Sequence, residues 1–205
     1  MTNEVASQRA GREFEGVLGL LVGWAMALGR GRSARLVADL AGVGPGDRLV
    51  DVGSGPGRFL WEAAERGAEA VGVEPSAQMR RLAERRTPAR LRPAVTVVDG
   101  VAERLPLEDG SATVAWAVAS VHHWTDRDAG LAELYRVLRP GGRLLLAERL
   151  ARRGGWFRHH ALSWEQAEGL AGQVSSAGFA NVKTGRQVFG RRFHAVVVTA
   201  ERPAA

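Results

Sequence analysis

The chain contains no cysteine. Disulfides, thiolate nucleophiles and cysteine-based zinc sites are therefore excluded from its chemistry. Lysine is nearly absent: Lys183 stands alone, so the balance of 28 basic to 22 acidic residues, a formal charge of +6, is almost wholly arginine. These arginines are spread along the chain. Their densest group, Arg80, Arg81, Arg85 and Arg86, is expected on a solvated helix face. The charge thus reads as composition and not as a phosphate track, and nucleic acid is not an expected partner. The Asn/Asp-Pro-Pro-Tyr/Phe signature of base methylation is also missing. No apolar run is long enough to cross a bilayer; the richest, Phe14 to Leu28, falls short. Glu13 and Glu15 occupy the place where a signal peptide would carry its basic region.

What is present suits one soluble α/β domain. The chain has 205 residues, 45% of them hydrophobic and 24% charged, enough for a single core and too few for two domains of ordinary size. Its organising stretch is Leu49 to Leu60. Leu49 to Val52 reads as a buried parallel strand, and Phe59, Leu60, Ala63 and Ala64 follow a helical period. Between them lie Gly53, Gly55 and Gly57, with Asp51 two residues ahead. A glycine turn between a strand's carboxyl end and a helix is where nucleotide-like cofactors bind in open α/β sheets. A dinucleotide fingerprint would need its third glycine or alanine at position 58, where Arg58 stands, and a P-loop would need Gly-Lys-Ser/Thr, which is absent.

Further strands are expected at Ala70–Val73, Ala94–Val98, Thr113–Ala119 and Arg143–Ala147, with helices between them. The second ends at Glu74, 21 residues beyond Gly53, where a carboxylate accepts hydrogen bonds from ribose hydroxyls. Ser76 is expected to cap one helix, Thr125 to open another, and Ser163 to Gln166 to form a capping box. Val182–Phe189 and Arg192–Thr199, joined at Gly190, read as a terminal hairpin. Residues 1–42 are expected to be N-terminal helices, either a lid over the site or a structural layer. Residues 45–150 form the core, and 151–205 hold a basic, aromatic loop, a helix and the hairpin.

The Gly-x-Gly-x-Gly turn with its acid resembles the first motif of class I S-adenosylmethionine-dependent methyltransferases. In size and composition, though not in a specific motif, the chain is similar to small actinobacterial O-methyltransferases. Asp99 to Leu107 resembles the family's third motif. The His122-His123-Trp124 step and the Leu138-Arg139-Pro140-Gly141-Gly142 turn resemble those of the broad methyltransferase group with this architecture. The resemblance covers roughly residues 45 to 150. It implies a Rossmann-like α/β fold: a seven-stranded, mostly parallel sheet with an antiparallel strand in a C-terminal hairpin, and helices on both faces. It implies S-adenosyl-L-methionine as cofactor, bound by Asp51, Gly53, Gly55, Gly57, Glu74, Gly100, Val101, Ala102 and Ala119. One departure is clear. Val101 stands where the family carries the aspartate that accepts the adenine amino group, so backbone around Gly100 to Ala102 and apolar contact are expected to take over.

A hydroxyl acceptor must lose a proton as its bond to carbon forms, and histidine's protonation range suits that task. His122 and His123, at the end of the fourth strand, are the catalytic candidates, one expected to face the crevice and the other away. Trp24, Trp116, Trp124, Trp156 and Trp164 lie on segments that can approach the same place as stacking platforms, or else fill core. The leading expectation is O-methylation of a small polar acceptor such as a saccharide. The alternatives are C- or N-methylation of a quinone, lipid or natural-product ring, and a non-catalytic adenosyl-ligand binder. Magnesium held by Glu148 or a nearby aspartate is compatible with a sugar hydroxyl but not required. A cytoplasmic location is expected, and a homodimer is allowed.

Overall fold

The computed structural model describes residues 31–151, 161–189 and 193–204. The helix expected over Phe14–Leu28, most of the basic loop after Ala151, Trp24, Trp156 and the Gly190 turn lie outside them.

The elements follow the expected alternation. Helix α1 (Gly31–Leu40) leads to β1 (Arg48–Val52), α2 (Arg58–Glu65), β2 (Glu69–Val73) and α3 (Ala77–Arg86). A short 3-10 turn, Ala89–Ala94, precedes β3 (Val95–Val98), which therefore starts one residue later than expected. Then come β4 (Ala112–Val118), α4 (Arg127–Val137), β5 (Leu138–Arg149), α5 (Trp164–Ser176), β6 (Ala180–Phe189) and β7 (Phe193–Glu201). The seven strands form one sheet in the order β3-β2-β1-β4-β5-β7-β6. β3, β2, β1, β4 and β5 are mutually parallel; β7 runs antiparallel between β5 and β6. The sequence order reverses between β1 and β4, so the crevice at their carboxyl ends is the topological switch point of the sheet.

The two-residue period of a strand divides the core between the sheet's faces. Val50, Ala115, Leu144, Leu146, Val196 and Val198 point to one side and pack with Leu131 and Leu134 of α4 and Leu170 and Val174 of α5. Leu49, Val114, Trp116, Leu145 and Val197 point to the other, against Val37 of α1 and Phe59 and Leu60 of α2. Trp116 is fully buried there, its ring edge-on to Phe59 at 6.4 Å, so it is core and not a platform. Trp164 sits outside the crevice as well. Its indole N–H donates to Glu168 at 2.7 Å, and Arg186 lies over its ring.

Three expectations change. Asp126 caps α4, accepting from the Ala129 N–H at 3.0 Å, in place of Thr125, whose own N–H donates to Glu103 at 2.6 Å. The Leu138–Gly142 stretch does turn, but inside a strand: β5 pairs with β4 at Leu138 and again from Arg143, and the residues between bulge out. Gly141, at φ 74°, donates to Arg202 O at 2.9 Å, and Arg202 N returns a bond to Gly142 O, so the bulge is tied to the chain's end. Arg80 is not part of a solvated face. Its guanidinium donates to Glu74 O (2.7 Å), Pro75 O (2.8 Å) and Asp99 Oδ1 (2.8 Å). Ser76 and Ser163 cap their helices as expected, the latter with a complete capping box.

Candidate active site

The floor of the crevice is the bend after β1. It hangs from the tip of β2, where Val73 O accepts from Gly53 N at 2.8 Å and from Ser54 N at 3.4 Å. Gly53, Gly55 and Gly57 all have positive φ (76°, 53° and 81°), the region that favours glycine. The first and second serve different ends. A Cβ on Gly53 would lie 2.5 Å from Ser120 Cβ, so the bare backbone there is a packing requirement. A Cβ on Gly55 would meet nothing within 4 Å and would project into open space. Gly57 faces Ala83 of α3 and does not line the crevice.

Glu74, 6% exposed, turns back onto this bend. Its Oε2 accepts from Gly55 N at 2.9 Å and its Oε1 from Ser76 N at 2.9 Å. Each oxygen keeps a lone pair for a hydroxyl donor. Burial pushes its carboxyl above the usual range, opposed by those two N–H groups and by Arg80. Asp51, 1% exposed, lines the same crevice with Oδ2 unpaired. Desolvation pushes its pKa up to about 7. The Trp116 indole pulls it down, without closing a hydrogen bond, and the charge of Glu74 raises it further. A buried carboxylate with an unpaired oxygen is costly unless a cation completes it. Asp51 thus keeps a buried acceptor free toward the crevice.

The opposite wall starts at the end of β4. Ala119, at φ 54°, breaks out of the strand while its N–H still reaches Ala147 O at 2.7 Å. Holding a non-glycine residue there costs roughly 1–2 kcal/mol, and the turn it makes carries the chain over the crevice. The Ser120 hydroxyl donates to Val52 O at 2.6 Å, and Val121 N donates to Glu148 Oε1 at 2.7 Å. The tips of β1, β4 and β5 are thereby joined. Glu148, 1% exposed, holds His122 Nδ1 with its other oxygen at 2.8 Å. Considered as a magnesium ligand, Glu148 has both oxygens committed within the protein. Among the described residues no group of three or more His, Cys, Asp or Glu is arranged to hold a metal ion.

The two histidines part as expected, and the structure assigns the sides. His123 lines the crevice with Trp124; His122 does not. Their rings are 3.9 Å apart between centroids, tilted by 43°. The third wall is Gly100, Val101 and Ala102, with Met79 of α3. A Cβ on Gly100 would lie 2.8 Å from both Pro106 and Val73, which holds this backbone close to the tip of β2. Asp99, two residues from the family's aspartate position, is taken by Arg80 and does not line the crevice. Of the eleven residues singled out in the sequence, nine surround one space; Gly57 and His122 stand behind it. That space, with the solvent at its mouth included, is about 1090 Å³. Sequence reading missed Ser120, whose hydroxyl leaves no spacing pattern. It also missed Arg58, which counted only as a cation that breaks the dinucleotide motif.

Comparison with known proteins places this geometry. A family model described as a methyltransferase domain matches residues 50–146. The chain is 36% identical over 114 residues to a demethylmenaquinone methyltransferase of Beutenbergia cavernae, covering 56% of this chain and 45% of that protein. It is 39% identical over 121 residues to a 27-O-demethylrifamycin SV methyltransferase of Amycolatopsis mediterranei, covering 57% and 44%. The chain spans less than half the length of the curated relatives it matches, between 40% and 47%. Among solved structures, the [4+2]-cyclase SpnF superposes with a TM-score of 0.82 at 22% identity over 97% of both chains. That likeness concerns the fold, which does not by itself carry a reaction.

Proposed function

The chain belongs to the class I S-adenosylmethionine-dependent methyltransferases through residues 50–146, and on that premise we propose that its crevice methylates a hydroxyl of a small polar acceptor. One observation carries the reading: the bend with Glu74 and the unpaired Asp51 oxygen shares a single cavity with the His123 imidazole. S-adenosylmethionine supplies, when bound, a methyl group on a sulfonium. Glu74 offers its remaining lone pairs to the ribose hydroxyls, and Asp51 offers Oδ2 to the ammonium. Gly100 to Ala102 face the adenine with backbone and apolar surface, and Ala119 closes the wall near the sulfur. Gly53, in the lining, and Gly57, behind it, keep the bend in shape.

On the acceptor side, His123 takes the hydroxyl proton at an imidazole nitrogen. His122 is a positioning residue. With Nδ1–H donated to Glu148, its tautomer is fixed and its ring backs that of His123. Trp124 supplies a flat surface at the mouth, suited to a sugar ring or a phenol. A second reading has one observation in its favour. Phe59, Met79, Val101 and Trp124 give the cavity much apolar lining, which suits a ring carbon, and a relative is named for demethylmenaquinone.

The test is methyl release from S-adenosylmethionine against a panel of saccharides, phenols and quinones, with and without magnesium, for the wild type and His123→Ala. The hydroxyl reading expects a loss of about 10²–10⁴ in turnover with unchanged S-adenosylhomocysteine affinity. Turnover within threefold of wild type on the best acceptor would refute His123 as the base and favour carbon. Absence of any saturable S-adenosylhomocysteine binding would refute the methyltransferase reading of the crevice.

A further inference from the structure

Glu103 lines the crevice, half-buried, and nothing in the chemistry above uses it. It sits in the turn Val101–Arg104, closed by the Arg104 N–H donating to Val101 O at 3.2 Å, so the third wall's own backbone sets its place. Its Oε1 crosses to the loop after β4, accepting from Thr125 N at 2.6 Å and from Asp126 N at 3.1 Å. These amides stand at the start of α4, where the helix has no carbonyl of its own to offer them. The residue before them is Trp124, whose ring is seated on α4: a Cβ on Gly130 would come within 2.6 Å of it. His123 is one residue further back. Lower down, Leu105 N donates to Glu133 Oε2 at 2.7 Å, and Arg136 donates to Leu105 O at 3.1 Å and Leu107 O at 2.8 Å. Of these ties between the loop after β3 and α4, only Glu103 lines the crevice. One carboxylate oxygen thus joins the wall Gly100–Ala102 to the wall of His123 and Trp124, through charge-assisted bonds.

We propose that Glu103 is a positioning residue that couples the two halves of the crevice. A cofactor seated against Gly100–Ala102 steadies the turn that carries Glu103, and the two bonds from its carboxylate steady the segment from His123 to Asp126. The inference rests on the function proposed above and gives it an order: cofactor first, then the acceptor against a wall already set. Such coupling is reciprocal, so the wall returns to the cofactor the same factor in affinity.

The experiment pairs amide hydrogen exchange over residues 121–127 with isothermal titration of S-adenosylhomocysteine, on the full chain and three variants. In the wild type, saturating S-adenosylhomocysteine is expected to slow exchange at Thr125 and Asp126 about tenfold. Glu103→Gln, whose amide oxygen can accept the same two bonds, is expected to keep most of that response. Glu103→Ala, and Glu103→Asp with one methylene too few to reach, are expected to lose it. Both should bind S-adenosylhomocysteine about 5- to 10-fold more weakly, the reciprocal share. No slowing in the ligand-saturated wild type overturns the inference without recourse to any variant. Equal slowing in Glu103→Ala overturns it as well, since the ligand would then hold the wall directly. So does Glu103→Gln behaving as Glu103→Ala, which would assign the effect to charge and not to the two bonds. A wild type that shows no binding isotherm refutes the cofactor reading itself, and the titration tells that failure from the others.

Discussion

Gly53 and Gly55 are two residues apart in one turn, both at positive φ, and alanine at each should fail in a different way. At Gly55 the backbone angle of 53° costs an L-residue roughly 1–2 kcal/mol. The new methyl meets no atom within 4 Å, so no clash adds to that cost. Gly55→Ala should therefore lose about 1–2 kcal/mol of stability, with Tm down by roughly 2–4 °C for each kcal/mol in a chain of this size. On the proposed function its methyl stands where the ligand approaches the backbone, and S-adenosylhomocysteine affinity should drop at least tenfold. At Gly53 the same torsional cost applies, but the methyl would lie 2.5 Å from Ser120 Cβ and 2.9 Å from its Oγ. Ser120 has to move, and its hydrogen bond to Val52 O goes with it, about 1 kcal/mol. Overpacking adds roughly 1–3 kcal/mol. Gly53→Ala should thus lose about 3–6 kcal/mol. Urea unfolding measures the two stabilities and calorimetric titration the two affinities. Equal losses of stability, or wild-type ligand affinity in Gly55→Ala, would refute the assignment of one glycine to packing and the other to ligand approach.

Asp51 makes ligand-free stability depend on pH. Its folded pKa of about 7 stands above the ordinary 3.8, so the folded state holds the extra proton between those values. Stability should fall as pH rises through that window, on the order of 2–4 kcal/mol. Asp51→Asn should flatten the slope in urea titrations at pH 5 and 8, although Glu74, raised for the same reason, keeps part of it; an unchanged slope would show that Asp51 is ionised throughout. Val101→Asp restores an acceptor facing the adenine and should tighten S-adenosylhomocysteine about tenfold while leaving S-inosylhomocysteine unimproved; equal gains for both would point to charge alone. At the amino end of the sheet, Asp47 accepts from Gly44 N, Thr113 Oγ1 and Arg143 Nη2. Those partners outweigh its burial and hold its pKa below 3.8, so its contribution is present above that value and is lost as pH falls beneath it. Asp47→Asn should cost about 1–2 kcal/mol at pH 7, less in acid, with ligand affinity unaltered; a change in affinity would mean that the two ends of the sheet are coupled.

The glycine bend was legible because three glycines at alternate positions after a buried strand leave few other conformations open to the backbone. Glu74 was legible from its distance along the chain, since β1, α2 and β2 have lengths set by the width of the sheet. The histidine step could be placed at the carboxyl edge, yet the side each ring faces depends on Ala119 leaving the strand at φ 54° and on Glu148, 26 residues away, taking His122. Local pattern holds neither fact. The bulge in β5 was hidden for a similar reason: Leu138 to Gly142 has the composition of a turn, and only the pairing of Leu138 with Ala112 makes it part of a strand. Arg80 looked solvated because its partners, the carbonyls of Glu74 and Pro75, have no signature in sequence at all.

The stitching of the three strand tips limits how such a site can diversify. The Ser120 hydroxyl fastens the bend after β1 through Val52, and the next residue's N–H fastens the histidine wall through Glu148. The two anchors are adjacent in the chain, so a backbone shift at Ser120–Val121 is felt on both walls of the crevice. Trp124 lines the cavity but also packs on the core and against Gly130 of α4, so it is constrained as well. Thr125, exposed at the same cavity, carries no such duty on its side chain, and on the proposed function it is the position where acceptor preference can change at least cost.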